Sequence, residues 1–247
     1  MATRVSIFVT CLVDQLFPSV GIAMAQVLER LNYEVEFREE QTCCGQPAFN
    51  SGFRDEARTV ARHFLDVFTD AEYVVIPSGS CTAMCSHHMA ELFRDDPAML
   101  AKVHALEPRI WEFSKFLTDV AKVEDVGARW NGKVTYHDSC HALRELGVKD
   151  GPRRLLSNVK GLELVEMDKA EECCGFGGTF SVKFAELSGA MARTKASSIV
   201  RTGANTVVSI DSSCLMQMQG VIHRDGLPIR ALHLAEVLAN TEAGGPK

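Results

Sequence analysis

The chain has 247 residues, 46% of them hydrophobic and 23% charged, and a formal net charge of −6. These are globular proportions that exclude a disordered chain, and no Lys/Arg block marks a nucleic-acid surface. Nine cysteines are too sparse for a disulfide scaffold and numerous for thiols without a task.

In chain order, residues 4–10 predict a buried first strand, 18–31 a helix and 33–37 an alternating second strand. The segment from Arg4 through the apolar run to Ala23-Met24-Ala25 also has the outline of a secretory leader. Asp14 and Gln15 directly after that run favour the strand, so a cytoplasmic chain is expected, where clustered cysteines point to metal or catalysis. Residues 53–68 carry one apolar stripe (Ala57, Val60, Ala61, Phe64, Leu65, Phe68) and predict a helix. Residues 73–76 are a short buried strand ended by Pro77 and Gly79. The second half reads alike: strands over 133–137, 162–167 and 205–210, helices over 153–159 and 184–201. Strand–helix alternation of this kind predicts an α/β fold with parallel strands in each half. A linker is expected at 126–132 and a frayed tail at 241–247, leaving domains 1–126 and 132–240. No stretch approaches the ~18 apolar residues of a membrane span.

The halves are also in step in their cysteines. Cys11, Cys43-Cys44-Gly45 and Cys81 match Cys140, Cys173-Cys174-Gly175 and Cys214. Ser78-Gly79-Ser80-Cys81 faces Asp211-Ser212-Ser213-Cys214. Eight thiols thus form two sets of four, with Cys85 left over and Met218 at its matching position.

Each set is expected at the C-terminal ends of strands, where an open α/β sheet gathers ligands. Adjacent cysteines in a regular strand face opposite ways, so Cys43-Cys44 and Cys173-Cys174 must leave the strand, with Gly45 and Gly175 relaxing the backbone. Cys81 is expected to cap a helix from Thr82, and Cys85 to lie one turn deeper on the same face. Four convergent thiolates select an iron–sulfur centre or tetrahedral zinc. Donors drawn from three separate loops favour the iron–sulfur centre over zinc, whose ligands usually come in close pairs. Small buried hydrophobes are the plain alternative, and duplication at matched spacing argues against it. His137 and His141 flank Cys140 and are candidates to hydrogen-bond the centre, while His87 and His88 read as solvent-facing. No phosphate-binding glycine loop or nucleophile elbow is present, so no intrinsic flavin, nicotinamide or hydrolase site is expected.

The strings Thr42-Cys43-Cys44-Gly45-Gln46-Pro47, Pro77-Ser78-Gly79-Ser80-Cys81, His137-Asp138-Ser139-Cys140-His141 and Glu172-Cys173-Cys174-Gly175-Phe176-Gly177-Gly178 carry a resemblance. They resemble the cysteine-rich, or CCG, domain family, which occurs in tandem in one component of heterodisulfide reductase and in the glycolate oxidase iron–sulfur subunit. The lactate utilization protein A group within it is the most similar, over roughly residues 4–240. The resemblance implies an iron–sulfur electron-transfer subunit of an L-lactate-oxidising complex, working with a ferredoxin-like iron–sulfur protein and a third subunit. A glycolate-type complex, thiol/disulfide chemistry on a five-cysteine cluster, and a zinc-stabilised interaction module are the alternatives. It implies [4Fe–4S] clusters on Cys11, Cys43, Cys44 and Cys81 and on Cys140, Cys173, Cys174 and Cys214. Cys85 would serve only if the first centre is noncubane, and zinc or an empty site would mark cluster loss. The chain departs from the family pattern, which closes with Cys-x-x-Cys: here the first half has Cys81-x-x-x-Cys85 and the second has no cysteine after Cys214.

Overall fold

The computed structural model describes residues 2–242. Strands β1 (Arg4–Ile7), β2 (Glu34–Phe37), β3 (Val74–Ile76) and β4 (Ile110–Glu112) form a parallel sheet in the order β2-β1-β3-β4. Strands β5 (Arg129–Tyr136), β6 (Lys160–Leu164), β7 (Thr206–Ser209) and β8 (Arg230–His233) repeat it as β6-β5-β7-β8. Each central strand is covered on both faces, which is why Val74-Val75-Ile76 and Thr206-Val207-Val208-Ser209 are buried throughout. Chain connections leave β1 and β3 toward opposite edges of the sheet, and those from β5 and β7 do the same. A crevice therefore opens at the C-terminal end of each central pair.

The repeats do not stand apart. Helix Pro18–Arg30 turns Val20, Met24, Val27 and Leu28 inward and packs on helix Leu234–Ala239 of the other repeat. Its counterpart Asp150–Ser157 packs on Phe113–Lys115 of the first repeat. One apolar core results, with Val5, Met24, Phe113, Tyr136, Leu155 and Leu234 all in it. Arg30 ties the exchange by donating to the carbonyls of Val126, Leu238 and Ala239. Ser78 and Asp211, matching positions of the repeats, pair with each other in an antiparallel bridge. A bridge between equivalent residues marks a pseudo-two-fold axis.

Several expectations shift. The expected first strand, 4–10, pairs only as far as Ile7. The expected linker 126–132 enters β5 at Arg129 and is buried at Val126, Ala128 and Trp130. Strands β4 and β8 fall outside the expected elements. The helix bearing Cys81 begins at Gly79 with Ser78 as its cap, so Cys81 lies inside the first turn and does not cap it. Of the expected tail, residues 243–247 lie outside the described residues. Among the described residues no helix is long and apolar enough to cross a membrane.

Candidate metal centre

Cys11 opens the helix Cys11–Leu16 after β1, and Cys140 opens Cys140–Arg144 after β5. Cys43-Cys44 and Cys173-Cys174 lie in irregular backbone before Gly45 and Gly175, at φ +85° and +88°. In that left-handed conformation the glycine N–H turns back onto the first sulfur of each pair, at 3.4 Å for Gly45 to Cys43 and 3.3 Å for Gly175 to Cys173. Cys81 and Cys214 follow β3 and β7 in the first turns of their helices. All eight thiols of the two sets line one cavity of about 240 Å³, together with Ser78, Ser80, Ser139, Ser213 and Asp211.

Within the first set the Sγ atoms of Cys11 and Cys43 are 3.7 Å apart and those of Cys44 and Cys81 are 3.3 Å apart. The second set repeats this pairing, Cys140 with Cys173 and Cys174 with Cys214. Contact with Cys11 and Cys44, aided by the Gly45 N–H, holds the Cys43 thiol down at about 2. Cys173 is held at about 2 by Cys140, Cys174 and the Gly175 N–H. Cys11 and Cys140 are pushed up by those same contacts and by burial, as are Cys44 and Cys174. Each set thus presents a ready thiolate beside thiols whose protons a metal would displace.

The surroundings hold the geometry. Asp211 accepts from Ser78 Oγ (3.2 Å) and Ser80 N (2.9 Å) of one repeat and from Ser213 N and Oγ (3.2 and 2.6 Å) of its own. Asp138, beside the Cys140 loop, is clamped by Arg153 through two bonds of 2.9 and 2.8 Å. A Cβ at Gly79 would lie 2.4 Å from the Ala142 Cβ, so the helices carrying Cys81 and Cys140 meet across the axis only because residue 79 lacks one.

The donor set suits a metal centre. His137 is wholly buried and neither ring nitrogen makes a well-formed hydrogen bond, with only the Ala170 carbonyl near enough to accept weakly. Burial, with Lys195 nearby, pushes it down to about 3, so it is a neutral imidazole. Among the described residues, His137, Cys174 and Cys214 are the group of three or more whose donor atoms all lie within 4.8 Å of one another. No three thiols of the first set meet that criterion, whereas a tetrahedral zinc ion would draw its thiolates to roughly 3.8 Å from one another.

His141 Nδ1 is 3.6 Å from Cys140 Sγ, and its Nε2 is 3.6 Å from Glu145. Cys85 is buried and does not line the cavity, but it shares an apolar cluster with Cys44, against which Cys43 and Cys81 also pack. The π-helical turn Met84–His88 sets it off the regular helical spacing from Cys81. His87 is exposed, while His88 bonds Glu145 at 2.6 Å across the repeats. Sequence reasoning passed over Asp211, Ser78 and Lys195. For the first two a signal existed, since Ser78 and Asp211 are matching positions just before matched cysteines.

A cysteine-rich (CCG) domain model matches the chain twice, over residues 5–86 and 134–219. Lactate utilization protein A of Geobacillus kaustophilus is 50% identical over 235 residues, covering 95% of this chain and 98% of its own. The protein of that name from Exiguobacterium sp. is 48% identical over 237 residues, covering 95% and 96%. That from Halalkalibacterium halodurans is 47% identical over 239 residues, covering 97% and 98%.

Proposed function

The chain belongs to the cysteine-rich CCG domain family, and from that premise we propose that it is the iron–sulfur electron-transfer subunit of a complex oxidising L-lactate to pyruvate. The observation that carries this is the convergence of eight thiols, four from each repeat, on one cavity at the strand ends. Cys11, Cys43, Cys44 and Cys81 hold one centre and Cys140, Cys173, Cys174 and Cys214 the other. Thiols drawn from three separate loops, and not from pairs close in sequence, suit a polynuclear centre at the first set. An iron–sulfur cluster supplies one-electron transfer at a potential set by hydrogen bonds, burial and charge.

The protein's own groups do the tuning. Gly45 and Gly175 direct N–H groups at Cys43 and Cys173. Asp211 fixes the two cysteine-bearing helices relative to each other through Ser78, Ser80 and Ser213. Oxidation of lactate releases two electrons and two protons, and the hydride-accepting step belongs to a partner, because this chain carries no flavin- or nicotinamide-binding glycine loop. The working unit is this chain with a ferredoxin-like iron–sulfur protein and a third subunit, in the cytoplasm. The names of its relatives support lactate as the substrate.

Anaerobic addition of L-lactate to the co-purified complex should produce reduced iron–sulfur EPR signals on this subunit, with glycolate as control. Reduction by glycolate and not lactate would overturn the substrate. A second reading, zinc at the second set, is favoured by the close trio His137, Cys174 and Cys214; zinc with no acid-labile sulfide would select it.

A further inference from the structure

The repeats match closely in their cysteines and differ in the residue three places before the first cysteine of each set. His137, three residues before Cys140, corresponds to Phe8, three residues before Cys11. Phe8 is fully buried against the rings of Phe64 and Phe68, at 5.1 and 5.6 Å between centroids. An aromatic hydrocarbon therefore fills this position, and packing alone demands nothing more. In the second repeat the same place holds an imidazole with both nitrogens buried, neither in a well-formed hydrogen bond and the Ala170 carbonyl its one protein hydrogen-bonding neighbour. A buried polar atom with no good partner is destabilising. The neighbouring cation offers no relief: buried Lys195 turns its Nζ onto the carbonyls of Lys169 and Ala170. The imidazole instead faces sulfur, with a nitrogen within 4.8 Å of both Cys174 and Cys214.

We propose that His137 is a ligand of the second centre, so that the two centres differ in donor chemistry. The first is bound by four thiolates; at the second the His137 imidazole, beside Cys174 and Cys214, takes one of the four positions and leaves one thiol of that set outside the centre. This rests on the proposal that both cysteine sets hold metal. A neutral nitrogen donor leaves less negative charge on a centre than thiolate does. Replacement of thiolate by imidazole raises the potential of iron–sulfur centres. The second centre is therefore the easier to reduce, and electrons entering at the first come to rest at the second.

The test uses the full chain, reconstituted anaerobically with iron and sulfide, with ¹⁴N- or ¹⁵N-histidine. Pulsed EPR of the reduced protein should show a nitrogen coupling on the higher-potential centre that changes with the isotope. His137→Phe, which copies the first repeat, should abolish the coupling and lower that centre's midpoint potential while the other stays unchanged. Cys85→Met, which copies the second repeat at Met218, should leave the coupling intact. A coupling that survives His137→Phe, or two EPR-active centres without histidine coupling in the native chain, would overturn the assignment. If His137→Phe fails to assemble the second centre, His137→Gly is measured with added imidazole. Return of the centre with a nitrogen coupling supports the ligand, and no return overturns it. If the native chain carries zinc without sulfide, the electron-transfer proposal fails, and the ligand is then read by cobalt substitution. A cobalt absorption spectrum altered by His137→Phe upholds it, and identical spectra overturn it.

Discussion

Gly45 and Gly175 occupy matching turns with the same backbone conformation, at φ +85° and +88°, yet their substitution by alanine should have unequal effects. At either position a Cβ in the left-handed region costs about 1–2 kcal/mol. At Gly45 nothing is added, since the new Cβ would meet Val60 at 3.5 Å and the Ala57 carbonyl at 3.7 Å, ordinary contacts. At Gly175 it would lie 2.7 Å from the Ser188 carbonyl and 2.8 Å from the Met191 Cβ. That carbonyl has little room to retreat. Ser188 Oγ donates to the Gly175 carbonyl at 2.7 Å and accepts from Gln217 Nε2 at 2.8 Å. Overpacking of this kind adds about 1–3 kcal/mol. Gly175→Ala should therefore lose about 2–5 kcal/mol and Gly45→Ala about 1–2 kcal/mol. Anaerobic urea unfolding at matched metal loading measures both, and metal per chain should fall at the second centre in Gly175→Ala. Equal losses, or the larger loss at Gly45, would refute the reasoning.

Gly79→Ala should cost about 1–3 kcal/mol and lower metal retention at both centres, because its Cβ would strike Ala142 at the contact between repeats. Adding Ala142→Gly should recover part of the loss in thermal melts, and no recovery would show that the contact is not the cause. Buried Glu112 is pushed up to about 7 by burial, against the opposing N–H and O–H bonds from Ser114 and Lys115 N. A raised carboxyl stabilises the fold below its ordinary value of 4.5, and that stability is lost as pH rises through 7. Relative to native protein, Glu112→Gln should gain about 3 kcal/mol between pH ~4 and ~8 in urea titrations; parallel stability curves would contradict this. Cys214→Ser should abolish the second centre, whereas Cys85→Ser, at a thiol that does not line the cavity, should leave iron per chain unchanged. Iron content that falls with Cys85→Ser would return that thiol to the ligand set.

Much of this architecture was legible because repeats record the same solution twice. The matched cysteines located the loops that line the shared cavity, and the apolar runs at 73–76 and 205–210 located the central strands. The glycines after each Cys-Cys pair are left-handed, as adjacent donors facing one centre require. What escaped were features decided by packing between distant segments. Strands β4 and β8 are edge strands, Ile110-Trp111-Glu112 and Arg230-Ala231-Leu232-His233, and lack the continuous apolar run of the central strands. Cys85 has helical spacing from Cys81, but it lies within a π-helical turn and does not reach the cavity lining. Two separate sites were expected, and both sets line one cavity because helices Gly79–Ala83 and Cys140–Arg144 touch across the axis. No local pattern announces that contact except Gly79 itself. The special status of His137 was also hidden, since only the fold shows it buried with a ring nitrogen within 4.8 Å of Cys174 and Cys214.

What the thiols hold decides between electron transfer and a structural metal. Iron, zinc and acid-labile sulfide should be measured on chain purified without oxygen, alongside the EPR spectrum of the reduced protein. Two [4Fe–4S] centres predict about eight iron and about eight sulfide per chain, negligible zinc, and two reduced signals. Stoichiometric zinc with neither iron nor sulfide would contradict electron transfer by this chain.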